Sequence, residues 1–526
     1  MSKHPRIWLF ALLGTLLTST SLLAQGVITM TTSKGVGEEI QLVIKANGNV
    51  TIEGTQDTGK TNNSDRKYYR LKSRTVTIRG DVTELDCTFN QLISLDVSGC
   101  SSLRTLNCSY SELTSLDVSQ NTALTKLKCN SNQLTSLNLS GCTSLTELIC
   151  YENQLTSLDV SKDTALDTLY CYSNQLTSLD VSKNTALTEL WCSNNQLTSL
   201  DVSKNTALTK LLCFYNQLTS LDVSQNTALT DLYCFKNKLT SLEVSKNTAL
   251  TELGCSYNQL TSLNVSKNTA LTYLTCMNNQ LTSLDVSKNT ALTKLICFNN
   301  QLPSLEVSKN TALTELECSI NKLTSLDVSK NTALTKLLCF NNQLPSLDVS
   351  KNTALVALWC NDNQLTSLDV SQNTALTTLL CHDNQLTSLD VSQNTSLTEL
   401  DCSYNLLPSL NVSNNSTLTE LDCSYNQLTS LNVSKNTALT ELYCEDNKLT
   451  NLNVSGRARL TKIRCYSNRI NGKAMTKLMN SLPNRRGKSS GTIVIVDRSS
   501  KKRDENRCSA TDVTTARRKN WEVLER

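Results

Sequence analysis

Nineteen of the 22 cysteines recur every 21 residues, from Cys87 through Cys108 and Cys129 to Cys465. A short exact period means that each unit buries its apolar side chains against the next copy, so the chain has to stack. Independent globular domains, about three or four at this length, are thereby excluded. Composition agrees: 15 glycines, 5 prolines, 6 phenylalanines and 4 tryptophans in 526 residues are too few for several aromatic-rich cores joined by ordinary turns. Of the two histidines, His4 falls in the leader read below, and His382 alone cannot make a multi-histidine metal centre.

With each ladder cysteine set to zero, the consensus is L-x-x-L-x-C-x-x-N-x-L-T-S-L-D-V-S-K-N-T-A. In the Cys423 rung, Leu418, Leu421, Cys423, Leu428, Leu431 and Val433 are the six apolar positions. Positions −2 and 0 alternate with −3, −1 and +1, which predicts a short strand pointing leucine and cysteine inward. Asparagine stands at +3 in 18 of 19 rungs, Ser111 being the exception, and its amide suits backbone groups where the chain leaves the strand. Proline at +6 in Pro303, Pro345 and Pro408 shows that this position donates no needed N–H. The period and the L-x-x-L-x-C-x-x-N-x-L pattern are those of a leucine-rich repeat over residues 82–470. The expected fold is a repeat solenoid, an arc or horseshoe with a parallel sheet on the concave face. The convex face should hold turns or 3-10 segments.

The ends differ from the array. Lys3, His4 and Arg6 before the apolar run Ile7 to Ala24 read as a secretory signal peptide over residues 1–24. Residues 25–81 read as an N-terminal β cap, with Gln41–Ile44 and Val50–Ile52 joined as a hairpin through Asn47-Gly48. Residues 471–526 read as a basic α/β C-terminal cap. Met475, Leu478, Met479 and Leu482 have helical spacing, Ile493 to Val496 is strand-like, and Ser509 with Asp512 forms a capping box. No other run approaches the ~20 apolar residues of a membrane-spanning helix.

The repeat closely resembles the cysteine-ladder leucine-rich repeats of bacterial internalin-type surface proteins. So do the flanking blocks, Ile28 to Thr32 and Asn520 to Leu524. The resemblance implies surface adhesion to host or neighbouring cells without catalysis. The sequence departs from wall-anchored relatives in lacking an L-P-x-T-G motif; Leu482-Pro483-Asn484-Arg485 is not one. In-register strands put neighbouring cysteines about 4.8 Å apart, beyond the ~3.8 Å Cβ spacing of a disulfide. Reduced, apolar filler is therefore the reading of the ladder, with strained pairs and a soft-metal chain as alternatives.

The fixed columns serve the fold; columns −3, −1, +1 and +2 vary. All 19 aromatics of the array lie in those four. Columns −1 and +1 form a row with Tyr151, Tyr170, Tyr172, Trp191, Phe214, Tyr233 and Phe235, interrupted at Gly254. A second patch holds Phe298, Phe340, Trp359 and His382, and the rungs after it turn acidic at Glu399, Asp401, Glu420, Asp422, Glu441 and Glu445. Exposed apolar patches rich in Trp and Tyr mark binding surfaces. The bland alternative is stacking that merely stabilises the sheet. Aspartate at +9 and lysine at +12 are expected to make weak surface pairs. The sequence thus predicts an exported, monomeric, non-catalytic binding protein, a secreted or surface adhesin for protein or glycan. It predicts no nucleic-acid partner, no cofactor and no metal. A structural or self-associating matrix role is the alternative.

Overall fold

A computed structural model describes residues 26–63, 65–497 and 504–525. The predicted leader lies outside them. The chain forms two compact units, one ending at Leu155 and the other beginning at Thr156.

The first unit opens with eight strands: β1 (Val27–Thr32), β2 (Glu39–Ala46), β3 (Thr51–Glu53), β4 (Thr55–Thr61), β5 (Lys67–Leu71), β6 (Thr75–Arg79), β7 (Val82–Asp86) and β8 (Leu92–Asp96). The expected hairpin between β2 and β3 does not form. Strand β2 pairs antiparallel with β5 and β7, whereas β3 pairs with β6. Strand β5 takes Glu39 to Leu42 and β7 takes Val43 to Ala46, the end of β2 that the hairpin needed. The turn residue Asn47 is drawn to Asp81 by backbone and side-chain hydrogen bonds of 2.9 and 3.0 Å, which sends the chain into a different sheet. Strand β7 then pairs parallel with Thr105–Asn107, and the repeat ladder begins.

In the second unit, three-residue strands from Thr168–Tyr170 to Lys462–Arg464 pair in parallel, each in register with the next. Every strand buries its central leucine, or Ile463 in the last of them, and Cys, Val and the flanking leucines complete an apolar core along the stack. This is the leucine-rich repeat solenoid the period demands. The regular strand stops one residue before the cysteine, although the cysteine N–H still reaches the next rung, as from Cys192 to the Leu212 carbonyl at 2.8 Å. Turns fill the opposite side of each rung. The ladder cysteines from Cys192 to Cys465 are free, buried thiols. Some donate weakly to the neighbouring backbone, as Cys423 does to the Tyr443 carbonyl at 3.5 Å.

Two asparagine columns stitch the rungs. At +3, the Nδ2 of Asn216 donates to the carbonyls of Cys192 and Cys213 at 3.0 and 3.1 Å, and its Oδ1 accepts from Leu197 N–H at 3.0 Å. The second column, at +13, was not singled out in the sequence. Asn205 there is fully buried and donates to the carbonyls of Val181 and Asn184 at 2.9 and 2.8 Å. Departures in this column are instructive. Cys142 Sγ reaches the Val118 carbonyl at 3.2 Å, and Arg457 Nη1 reaches that of Val433 at 2.6 Å, so both replace the amide donor. The expected +9/+12 surface pairs are corrected. Aspartate at +9 instead accepts the N–H of the serine two residues on, as Asp201 does from Ser203 at 2.9 Å, and so closes the turn.

At the C-terminus α1 (Lys473–Ser481) and α2 (Ala510–Arg518) flank Gly491–Val496, with the Ser509/Asp512 capping box in place. The sheet does not stop there. Gly491–Val496 and Trp521–Glu525 add two longer parallel strands to it. Trp521 is buried and its Nε1 donates to the Pro483 carbonyl at 2.8 Å.

Candidate functional site

Alternation along each strand presents −3 and −1 on the face opposite the leucine, and the following turn adds +1 and +2. In the second unit this places the predicted aromatics side by side. Tyr170 stacks on Trp191 with ring centroids 4.2 Å apart, and Tyr172 meets the same indole at 6.3 Å. Phe214 stacks on Phe235 at 4.3 Å, and Tyr233 contacts Phe235 edge-on at 6.4 Å. In the second patch Phe340 lies 6.3 Å from Trp359, while Phe298 and His382 sit two rungs to either side of Phe340. Tyr151 belongs to the first unit, where it is half-buried.

These rings are half-buried by their own neighbours rather than projecting freely. The indole N–H groups of Trp191 and Trp359 are both buried without a partner. An unpaired buried donor costs about 1–3 kcal/mol, a cost the fold carries at both tryptophans. Gly254, read as an interruption of the row, is a packing feature. A Cβ there would lie 2.6 Å from the Tyr233 ring, so only glycine lets that ring lie across the strand. Tyr233 in turn hydrogen-bonds Glu252, and burial with that carboxylate holds its phenol well above the usual range.

The most exposed aromatics occupy +2, a variable column outside the −1/+1 row. Tyr215, Tyr257 and Tyr404 are exposed, and Tyr404 stacks on Tyr425 at 4.1 Å. Lys236 Nζ sits 4.3 Å from the Tyr215 ring centroid and 5.1 Å from that of Tyr257. Every +2 residue turns the chain with positive φ, 52° at Tyr215 and 49° at Tyr404. That conformation suits Gly, Asn or Asp and costs other residues of order 1–2 kcal/mol. Large aromatics held there are strained, and backbone strain concentrates at functional surfaces. The signal legible in sequence was the low glycine content: a tight turn in every rung, with no glycine to make it.

Beyond the aromatics, carboxylates align across strands, with Glu399 opposite Glu420, Glu420 opposite Glu441, and Asp401 opposite Asp422. Like charges in register repel. Burial first, then neighbouring carboxylates, raise the Asp422 carboxyl to about 6; burial raises that of Glu445 to about 7. Among the described residues the one ion pair in these rungs is at the Glu441 end, with Lys462 3.3 Å away. An earlier carboxylate pair, Glu315 and Glu317, is by contrast neutralised by Lys294 and Lys336, with contacts of 2.8 Å to Glu315 and 2.5 Å to Glu317.

Residues 164–205 match the family described as Leucine Rich repeats (2 copies). The functional domain of InlJ from Listeria monocytogenes, which includes a cysteine ladder, is similar at 37% identity. The match covers 69% of this chain and 77% of that one, with a TM-score of 0.59. YopM of Yersinia enterocolitica shares the fold at 22% identity, TM-score 0.56, over 84% of this chain and 91% of YopM. A leucine-rich repeat protein of Leptospira interrogans does so at 24% identity, TM-score 0.50, over 73% and 94%. No curated protein matches significantly. Among the described residues, no helix is long and apolar enough to cross a membrane. With its ladder, its two asparagine columns and this likeness to InlJ, the chain belongs to the internalin-type leucine-rich repeat proteins.

Proposed function

We propose that this protein is an exported, non-catalytic adhesin that docks a protein or glycan ligand on the outward face of its sheet. The observation that carries this reading is the segregation of side chains. Tyr170, Trp191, Phe214, Tyr233 and Phe235 line one outward face, while the core beneath them is leucine, cysteine and valine. Stacked rings with one open face suit flat apolar groups and the faces of sugar rings. The aligned acidic rungs add a preference for a ligand with a cationic flank. Kinship with the internalin domain supports a binding scaffold rather than an enzyme.

The test is binding of folded variants to host-cell and neighbouring-cell surface extracts. Trp191→Ala and Trp359→Ala remove the two indoles. Loss of a hot-spot tryptophan costs at least ~2 kcal/mol, about thirtyfold in affinity. Asp422→Ala probes the acidic rungs separately. If the double tryptophan variant bound every extract as the wild type does, the aromatic face would not be the docking site.

A further inference from the structure

The single histidine among the described residues lies where the sequence also puts something else once only. Column +2 carries tyrosine, asparagine, serine or other residues in most rungs. Two consecutive aspartates occur there only at Asp362 and Asp383, and His382 lies at +1 beside them. One ligand atom from each of Asp362, His382 and Asp383 falls within 4.8 Å of the others. His382 Nδ1 is 3.0 Å from Asp383 Oδ2. Among the described residues neither carboxylate has a lysine or arginine within 4.0 Å. Two carboxylates and an imidazole thus converge with no fixed cation between them.

A second observation concerns Asn361, on the same rung as Asp362. It is 8% exposed, and its Nδ2 donates to Asp362 Oδ2 at 2.7 Å. Its buried Oδ1 has no partner. Turning this amide over exchanges its nitrogen and oxygen, and would put that acceptor on the side of Asp362, where a cation would take it. We infer that Asp362, His382 and Asp383, with Asn361 beside them, form a site for one divalent transition-metal ion.

The chemistry is that of a mixed nitrogen and oxygen shell. Ligands 2.0–2.1 Å from one ion are at most about 4.2 Å apart, so atoms already within 4.8 Å of one another have little distance to close. Imidazole with carboxylates favours Zn2+ and its first-row neighbours over Ca2+, which takes oxygen ligands. His382 also belongs to the second aromatic patch, but Zn2+ binding reports on this site and extract binding on the aromatic face, so the failure of one is distinguishable from the failure of the other.

Calorimetric titration of the full chain with Zn2+ tests it, in a Cys508→Ser background that removes the one partly exposed thiol. The expected result is one saturable Zn2+ per chain. His382→Ala and Asp362→Asn should each raise Kd at least tenfold, with His382→Gln as a gentler replacement and circular dichroism unchanged. Asp446→Asn, at +2 in a distant rung, should bind as the parent does. Absence of saturable binding, or a parent-like Kd in both histidine variants, would overturn the assignment.

Discussion

Asp163 shows how much one atom matters in a repeat. It occupies the +13 column, where asparagine donates to two backbone carbonyls, yet an aspartate has no N–H to give. It is fully buried and both carboxylate oxygens lack a partner. Burial, aided by Asp159, raises its carboxyl to about 7. The folded chain therefore holds a proton that the unfolded chain releases near pH 4. Asp163 contributes most to stability below pH 4, and this is lost as pH rises through about 7. Asp163→Asn restores the donor and should raise the thermal midpoint, by the equivalent of at least ~1 kcal/mol at pH 8 and by less at pH 4. Melting curves at the two pH values check this; an equal or absent gain would show that the carboxylate is satisfied.

The rung has its own weak point in the first unit. Ser111 replaces the +3 asparagine, and its buried Oγ has no partner. In neighbouring rungs the amide makes three hydrogen bonds, as Asn132 does with Cys108, Cys129 and Leu113. Ser111→Asn should complete the column and stabilise the first unit by about 1 kcal/mol. Hydrogen exchange at Leu92, whose N–H stands where Leu113 N–H does one rung on, reads this locally. Unchanged protection would mean that the adjoining strands, not the amide column, set stability there. The opposite case is the +9 aspartate, which periodicity alone could not assign. A column of acids beside a column of lysines looks like ion pairing until backbone geometry shows the carboxylate closing its own turn.

Across the stack, the ladder thiols are a bulk property. Burial pushes Cys192, Cys234 and Cys360 up to about 12, so the reactive thiolate is suppressed at neutral pH. Cys508 is half-exposed and raised less, to about 11. Thiol titration of the native protein at pH 8 should detect about one group, the accessible Cys508 reacting slowly, and anaerobic denaturation should release most of the remainder. Near-zero thiol after denaturation would mean that the ladder is oxidised.

The 21-residue period was enough to establish a parallel stack, its leucine–cysteine–valine core, the +3 asparagine bonds and the variable outward columns. Each of these follows from local alternation repeated many times. Helical spacing and a local capping box likewise placed α1 and α2. What needed the folded chain was whatever depends on partners distant in sequence. Strand β2 does not pair with β3, because β7 arrives from elsewhere to pair with Val43 to Ala46, the end nearest the turn, and β3 joins β6. The +13 amides are buried only once the preceding rung supplies their carbonyls. Trp191 and Trp359 appear in sequence as free anchors; neighbouring rungs half-cover their rings and enclose both indole N–H groups. Asp362 lies a rung before the adjacent His382 and Asp383 in sequence, and only stacking at strand spacing brings its carboxylate to them.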